Sequence, residues 1–148
     1  MAVKLGLNGK LYRNTATHGS PSWSVLGKVR DLSLTMDKAT ADVTSRDNNG
    51  WRAKLPTLKE AVLEFDMVWD TADAGFSALQ DSYLNDTLIE FAVMDGDITT
   101  PLTEGLVATF GVTKFDKKEN LEEAQMVSVT LEIAPATDAP EWLVVAAS

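Results

Sequence analysis

The sequence predicts a mainly β protein, a β-sandwich or barrel with one flanking α-helix. Five segments alternate apolar and polar residues with the period of two that is typical of half-buried strands. A sixth segment has the three- and four-residue spacing of an amphipathic helix. The chain has 148 residues, of which 45% are hydrophobic. We therefore expect a single domain over residues 1–148, built on one buried core.

The five alternating segments are the predicted strands, and each is expected to bury one face and expose the other. They are residues 29–37, 61–69, 87–94, 106–115 and 125–133. A shorter hairpin is expected before them, with strands at about 3–7 and 10–12 joined by the turn Asn8-Gly9.

The segment 70–85 is the predicted helix. Its apolar residues lie on one helical face, and they are Ala72, Phe76, Leu79 and Tyr83. Asp70 or Thr71 is expected to cap its N-terminus, and Asn85 is expected to end it in a left-handed conformation. Gly75 lowers the helix propensity by about 1 kcal/mol relative to alanine.

Residues 38–59 follow neither pattern and are predicted to form a long loop. A structureless connection of about 20 residues is uncommon in a compact domain unless it has a function. We therefore expect it to be either functional or disordered.

The two ends of the chain are predicted to form arms, at about residues 1–28 and 134–148, and residues 14–21 and 134–148 show no regular pattern. Trp23 gives the first arm an aromatic anchor. Pro135 and Pro140 are expected to prevent regular structure in the second arm. Residues 142–145 are nevertheless too apolar for a segment without contacts, which indicates that the arms bind a partner.

Opposite charges are concentrated in two parts of the chain. Residues 1–59 hold ten basic and four acidic residues, whereas residues 60–148 hold three basic and eighteen acidic ones. The total of −9 disfavours binding of nucleic acid through its phosphates. Either the fold mixes the two parts in space, or the molecule has a basic and an acidic surface that attract copies of itself head to tail.

The sequence gives little sign of enzyme chemistry. It has no cysteine, which excludes disulfides, thiol catalysis and cysteine-based zinc sites. The single His18 lies in a stretch typical of a loop, and no common hydrolase or nucleotide-binding motif occurs. Asp95-Gly96-Asp97 is interpreted as a turn rather than a calcium loop. We expect no enzymatic activity, no cofactor, no metal, and neither a membrane span nor a signal peptide.

Acidic residues on the predicted strands form one further group, Glu64, Asp66, Glu90 and Glu132. A pair of such carboxylates can hydrolyse glycosides, but only within a sugar-binding cleft that the sequence does not indicate. The plainer interpretation is a solvated face of a sheet. A third interpretation is the negatively charged inner wall of a ring of copies, which would repel the phosphates of DNA.

The segment 42–53, DVTSRDNNGWRA, resembles the signature loop of the tail tube proteins, or major tail proteins, of long-tailed phages. The resemblance covers about residues 29–133 and is less specific outside that segment. Its other parts are Leu58-Lys59, residues 65–70, residues 72–76, Asp95-Gly96, residues 121–124 and residues 127–130.

This resemblance implies a tail-tube fold and an assembly. Tail tube proteins form hexameric rings whose sheets join into an inner β-barrel, and the rings stack into a hollow tube that delivers DNA to the host. The implied partners are further copies of the chain and the tape-measure, tail-terminator and baseplate or tip proteins. DNA is expected to pass without specific binding. The implied location is the tail of the virion, after assembly in the host cytoplasm, and the family supplies no catalytic residues.

Two sets of residues follow from combining the resemblance with the sequence. The loop at about residues 38–59 is then an assembly loop that is ordered when copies assemble. The expected subunit or ring interface within it is Thr44, Ser45, Arg46, Asp47, Asn48, Asn49, Trp51, Arg52 and Lys54. The expected lumen-facing residues are Glu64, Asp66, Glu90 and Glu132, and the opposite orientation, with these acids outside the tube, is the alternative.

Two other functions are weighed against a phage tail tube. One is the inner tube of a contractile tail or injection system. The other is a monomeric β-module that binds carbohydrate or protein on tryptophan platforms, namely Trp23, Trp51, Trp69 and Trp142. Trp69 lies on a predicted core face, which weakens that last function.

Overall fold

The computed structural model describes residues 6, 9–27, 29–119, 121, 124–136 and 139–146. Within these ranges the chain forms one α-helix, α1 (Ala74–Asn85), and strands that we number in chain order. The strands are β1 (Lys10–Asn14), β2 (Trp23–Val25), β3 (Val29–Asp42), β4 (Lys54–Val68), β5 (Leu88–Met94), β6 (Glu104–Lys118), β7 (Met126–Ile133) and β8 (Glu141–Val144). No helix in this part of the chain is long and apolar enough to cross a membrane.

The strands form one antiparallel sheet that folds over on itself. Its order is β2-β1-β5-β6-β7-β4-β3, and β8 pairs with the first residues of β6. The folded sheet has two halves, and the long strand β6 belongs to both of them. Its residues 105–111 pair with β5, and its residues 110–118 pair with β7. We call β2, β1, β5, β8 and the beginning of β6 the first half-sheet, and the end of β6 with β7, β4 and β3 the second half-sheet.

One hydrophobic core lies between the two half-sheets and under α1. Its fully buried aromatic side chains are Phe76 from α1, Phe91 from β5 and Phe110 from β6. Leu63 and Met67 from β4 and Leu131 from β7 are equally buried. Full burial of one such side chain stabilises the fold by about 1.5–3 kcal/mol. The predicted fold class, mainly β with one flanking helix, is confirmed.

A smaller apolar cluster covers the opposite face of the first half-sheet. It consists of Tyr12, Ala92, Met94 and Val107, with Trp23, Ile98, Leu143 and Val145 packed against them. Leu143 belongs to β8, so the expectation that Pro135 and Pro140 prevent regular structure is wrong there. Pro140 directly precedes β8, a position where the missing N–H costs the ladder no hydrogen bond.

The helix α1 begins at Ala74, later than the predicted segment 70–85, and ends at Asn85, one residue before its left-handed cap. Asp73 is its N-cap, and the Asp73 side chain accepts a hydrogen bond of 3.1 Å from the N–H of Phe76. Asp70 instead closes the preceding turn, because its carbonyl accepts from the N–H of Asp73. The left-handed residue at the C-terminus is Asp86, with φ of 56°. A Cβ at Gly75 would lie 2.1 Å from Leu26 Cδ2, so a larger residue there would require the Leu26 side chain to move.

Residues 38–59 form a projecting hairpin rather than the predicted structureless loop. β3 continues to Asp42 and β4 begins at Lys54, with a short 3₁₀ turn at Arg46–Asn48 between them. β7 pairs with β4 only up to Val62, so beyond that point β3 and β4 have only each other. We call residues 37–60 the projecting hairpin; within it only Asn48 and Ala53 are half-buried and all others are exposed. Strands without a core beside them need no apolar alternation, which is why the sequence pattern missed them.

The other strand predictions agree with the structure to within a few residues. The predicted strand at 10–12 is part of β1. Residues 3–5, Leu7 and Asn8, which belong to the predicted N-terminal hairpin, lie outside the described residues.

Candidate assembly surfaces

The hairpin tip, residues 43–53, is a folded turn held by Thr44. The Thr44 N–H and hydroxyl donate to Asp42 Oδ1 at 2.9 and 2.6 Å, and the Ala53 N–H donates to Thr44 Oγ1 at 3.0 Å. These bonds from the Thr44 side chain and backbone hold the pKa of Asp42 below its ordinary value. Asn49 and Gly50 adopt left-handed conformations, with φ of 53° and 84°, which asparagine and glycine tolerate best. The tip is therefore specified locally although it has no core beside it.

The predicted interface residues from Thr44 to Lys54 lie together on and beside this tip. All of them are exposed except the half-buried Asn48, and Trp51 has 77% of its surface exposed. Residues 38–59 contain five basic and two acidic residues, so this segment carries a charge of +3 on an acidic protein. An exposed tryptophan beside Arg46 and Arg52 is typical of a protein–protein interface.

Three of the four predicted lumen acids share one exposed face. Glu64 pairs with Ser33 on one side and with Thr130 on the other, and Asp66 and Glu132 follow the same register. This places all three on the face of the second half-sheet that points away from the core. The hydroxyl of Ser128 donates to Asp66 Oδ1 at 2.6 Å.

Glu90 lies elsewhere, on β5 in the first half-sheet. Its side chain is only 12% exposed, because the loop after β1 covers it. Asn14 Nδ2 donates to Glu90 Oε1 at 2.9 Å, and His18 Nδ1 lies 2.6 Å from Glu90 Oε2. The other ring nitrogen of His18 is 3.8 Å from Glu141 Oε1, at the start of β8. Glu90 therefore joins the loop and β8 to the sheet and is not part of the exposed acidic face.

Sequence reasoning missed this role of His18 and Glu90. The two residues are 72 positions apart, and no local pattern connects them. The only signal in the sequence was the charged residue Glu90 within an otherwise apolar strand, because a charged side chain that is buried needs a partner.

The four tryptophans lie in separate surroundings rather than on one platform. The ring centres of Trp69 and Phe76 are 4.7 Å apart, and Lys117 Nζ lies 4.3 Å from the centre of the Trp69 ring. Trp23 packs on the smaller apolar cluster. Trp142 is half-exposed and donates to Glu104 Oε1 at 3.2 Å, whereas Trp51 is on the hairpin tip.

The segment Asp95-Gly96-Asp97 forms the predicted turn. Asp95 Oδ1 accepts from the N–H of Glu104 at 3.1 Å, and Asp97 Oδ1 accepts from the N–H and hydroxyl of Thr99. These bonds from the Thr99 backbone and side chain lower the pKa of Asp97. In the part of the chain that the structure describes, no three metal-ligating side chains come together.

The second half-sheet has two unpaired edges. Within the described ranges β3 pairs with β4 alone, and residues 112–118 of β6 pair with β7 alone. Neighbours in the order β3-β4-β7-β6 are antiparallel, so β3 runs antiparallel to β6. Unpaired strand edges invite pairing with another chain.

Comparison with models of protein families identifies one family. The phage tail tube protein family matches residues 9–138. No curated protein matches the chain.

Solved structures of tails and tubes share the fold at low sequence identity. The tail of an empty gene transfer agent particle, with C6 symmetry, is 17% identical over 97% of this chain and 100% of that chain, with a TM-score of 0.74. The SPP1 tail tube is 14% identical over 98% and 80% of the two chains, with a TM-score of 0.73. The sheath/tube terminator of an extracellular contractile injection system is 10% identical over 97% and 98%, with a TM-score of 0.61. Because the family match spans most of the chain, this protein belongs to the phage tail tube protein family.

Proposed function

We propose that copies of this tail tube subunit close side by side into rings, and that the rings stack into a hollow tube through which DNA passes to the host. The observation that carries the proposal is the pair of unpaired edges on the second half-sheet. Rotation about a ring axis keeps each strand's direction along that axis. The β3 edge of one copy therefore meets the β6 edge of the next in antiparallel orientation, which allows a regular ladder.

Ring closure pairs both of these edges of the second half-sheet at once. Six copies, the symmetry of the gene transfer agent tail, would place about 24 strands in one barrel. At a strand spacing of roughly 4.8 Å and a tilt of roughly 35–45°, the barrel would be about 45–50 Å across between backbones. That width leaves room for side chains and a DNA duplex.

The orientation of the sheet follows from its burial. One face of the second half-sheet is covered by the core and the first half-sheet, so in a closed barrel those layers lie outside. The exposed face with Glu64, Asp66 and Glu132 then lines the bore. Carboxylates on the wall repel DNA phosphates, which favours passage without binding. The alternative orientation would have to fit the first half-sheet and α1 inside the bore.

The remaining parts of the proposal concern organisation and partners. The chain acts as one tail-tube domain, and its projecting hairpin makes contacts between copies. The likeness to virion tails supports a place in the tail of the particle. Assembly in the host cytoplasm, and contacts with tape-measure, terminator and baseplate or tip proteins, follow from the same role. The role is structural and requires no catalytic group.

A contractile inner tube is the second candidate. The fold likeness to a contractile injection system supports it. Such a tube would bind a sheath subunit on its outer surface. Co-expression with the sheath protein encoded beside it, where there is one, would give a double-walled tube in this case and a bare tube otherwise.

Electron microscopy of the concentrated protein tests the tube directly. We expect rings and tubes with an open centre. The chain contains no cysteine, so a Ser33→Cys chain that also carries Lys114→Cys or Asp116→Cys reports the β3–β6 contact as a reducible cross-link between copies. A Ser77→Cys, Thr99→Cys chain is the matched control, since neither residue lies on these edges. Persistent monomers without cross-links at high concentration would overturn the proposal.

A further inference from the structure

The two unpaired edges of the second half-sheet each contain a regular stretch next to irregular positions. On β3, residues 33–38 pair with β4 without interruption, between two register shifts. On β6, residues 114–118 pair with β7 without interruption, from another register shift to the end of the strand. Because a bulge disrupts the ladder locally, a further strand can add to each edge most regularly along these stretches.

The order of the strands in the second half-sheet has a definite hand. At the end of β4 the Trp69 N–H donates to the Gln125 carbonyl at 2.8 Å. The core-facing residues that alternate with Trp69 along β4 therefore direct their N–H and C=O groups towards β7. In a chain of L-amino acids, a residue that faces the viewer directs these groups to the right when its strand runs upwards. Viewed from the core with β3 running upwards, β4 runs downwards, so β7 and β6 lie to its left and β3 to its right.

Closure into a barrel offsets each copy from the next along the strands. Because sheets twist in one sense, the strands of a barrel tilt as right-handed helices, by about 35–45°. Four strands at roughly 4.8 Å make one copy about 19 Å wide, which requires an offset of about 13–19 Å, or about four to six residues. In the proposed tube the core lies outside the wall. Seen from there, a row of paired residues descends to the right, so it meets the next copy below the level of that copy's own row.

The row of paired residues from Lys114 on β6 to Ser33 on β3 crosses one copy at right angles to its strands. Since β6 runs downwards, Ser33 then lies opposite a residue about four to six positions after Lys114 of the next copy. Only even offsets keep the exposed side chains on one face, and an offset of six would run past Lys118, the last residue of β6. An offset of four remains, and it sets residues 33–37 opposite residues 114–118, which are the two regular stretches.

Charges on the exposed face favour the same offset. It places Asp37 opposite Lys114 and Thr35 opposite Asp116, and opposite charges at facing positions stabilise a sheet. An offset of six would place Asp37 opposite Asp116, and like charges at facing positions are destabilising. In the single copy Lys114 Nζ lies 3.2 Å from Asp116 Oδ2, and both side chains are more than half exposed. Lys114 is therefore accessible to a second carboxylate.

Apolar side chains on the core face also match at this offset, which places Met36 opposite Phe115 of the next copy. The partners of these two residues within one copy, Ala61 and Val129, are buried in the core. Met36 itself is 54% exposed. The partly buried Phe115 ring stacks on the exposed Tyr83 of α1, with centroids 6.0 Å apart. The next copy therefore offers Met36 an aromatic surface, which methionine contacts favourably.

We propose that copies join within a ring by pairing the regular stretch of β3 in one copy with the regular stretch of β6 in the next, at an offset of four residues. We call this contact the ring seam. Asp37 contacts Lys114 on the bore side, and Met36 packs against Phe115 on the outer side. Carboxylates thus hold Lys114 at the wall, where a free lysine would bind DNA phosphates. This inference rests on the proposed tube and adds the register and the residues that join its copies.

Disulfide mapping tests the register of the ring seam. Ser33→Cys with Lys118→Cys places two cysteines directly opposite each other, where a disulfide between copies can form. Ser33→Cys with Asp116→Cys places them on a diagonal of roughly 7–8 Å and should cross-link more slowly. Ser33→Cys with Lys114→Cys places them about 13 Å apart along the seam and should not cross-link. Tubes that cross-link faster in the Lys114 chain than in the Lys118 chain, or not at all in the Lys118 chain, would overturn the register while leaving the tube intact.

Charge exchange tests the contact between Asp37 and Lys114. Asp37→Lys is expected to raise the concentration needed for ring formation, measured by sedimentation, by roughly tenfold or more. Adding Lys114→Glu to the same chain is expected to restore assembly. The matched control is Glu132→Lys, which makes the same change in net charge on the same face but on the interior strand β7, and it should assemble like the unaltered chain.

Three outcomes of the charge exchange would overturn the ring seam. They are unimpaired assembly of the Asp37→Lys chain, no rescue by Lys114→Glu, and equal impairment in the Glu132→Lys control, which would assign the effect to net charge. Failure of the unaltered chain to form rings would instead overturn the proposed function, and microscopy would show it.

Discussion

The projecting hairpin and the sandwich body are built on different principles. In the body, side chains such as Phe110 and Leu63 are fully buried between the half-sheets. In the hairpin, ladder hydrogen bonds and the Thr44 network hold the backbone, and Trp51 faces solvent. We therefore expect the body to fold alone, and we propose that the hairpin gains its packing from other copies. Variants in the two regions should separate stability from assembly.

The largest effect on stability is expected in the body. Phe110→Ala leaves a cavity beside Phe91, whose ring lies 6.1 Å away, and should lower the free energy of unfolding by about 3–5 kcal/mol. Urea unfolding of the monomer measures it, and an unchanged slope would show that the folded state keeps its compactness. A loss below about 1 kcal/mol would mean that the core is not the source of stability.

A smaller effect is expected where the loop after β1 joins the sheet. His18→Ala removes one partner of the mostly buried Glu90 carboxylate and should lower the free energy of unfolding by about 1–3 kcal/mol. The double variant His18→Ala, Glu90→Gln removes the charge as well and should recover part of the loss. Equal losses in both would show that the contact is not between these two groups.

On the hairpin tip, stability and assembly should respond differently. Trp51→Ala removes an exposed side chain, so the free energy of unfolding of the monomer should change by less than about 0.5 kcal/mol. The concentration needed for tube formation, measured by sedimentation, should rise at least tenfold. Thr99→Ala, in an exposed turn, is the control for both measurements. Loss of monomer stability comparable to that of Phe110→Ala would erase the contrast between the regions.

The smallest effect concerns pH and the tip. The hydrogen bonds from Thr44 keep the pKa of Asp42 below its ordinary value of 3.8. Their contribution is therefore present above that value and is lost as the pH falls through the folded-state pKa. Amides of the tip should exchange faster as the pH drops below about 3.8, relative to core amides corrected for intrinsic rates. Asp42→Asn should remove this pH dependence; if the variant retains it, another group is responsible.

Burial decides what could be predicted from the sequence. The five long strands were found because each has one face on the core, as in Leu63, Phe65 and Met67 of β4. The ends of β3 and β4 in the projecting hairpin have no core, so they left no alternation to detect. β8 was missed because Pro140 suggested a break, whereas the strand begins directly after it.

The candidate surfaces, like the strands, were predicted only in part. The tip residues are close in sequence, and so one segment identified them together. The strand acids needed the register, which places Glu64, Asp66 and Glu132 on one face and leaves Glu90 under a loop. Contacts over long sequence distances, such as His18 with Glu90, depend on topology that no local pattern encodes.

Hydrogen exchange of the monomer and of the assembled protein, measured residue by residue, tests most directly whether other copies complete the hairpin and the unpaired edges. The account predicts that amides of the projecting hairpin and of residues 112–118 exchange quickly in the monomer and become protected on assembly. Core amides of β4 and β7 should be protected in both states. Hairpin amides that are already as protected as the core in the monomer, or that stay unprotected in the tube, would contradict it.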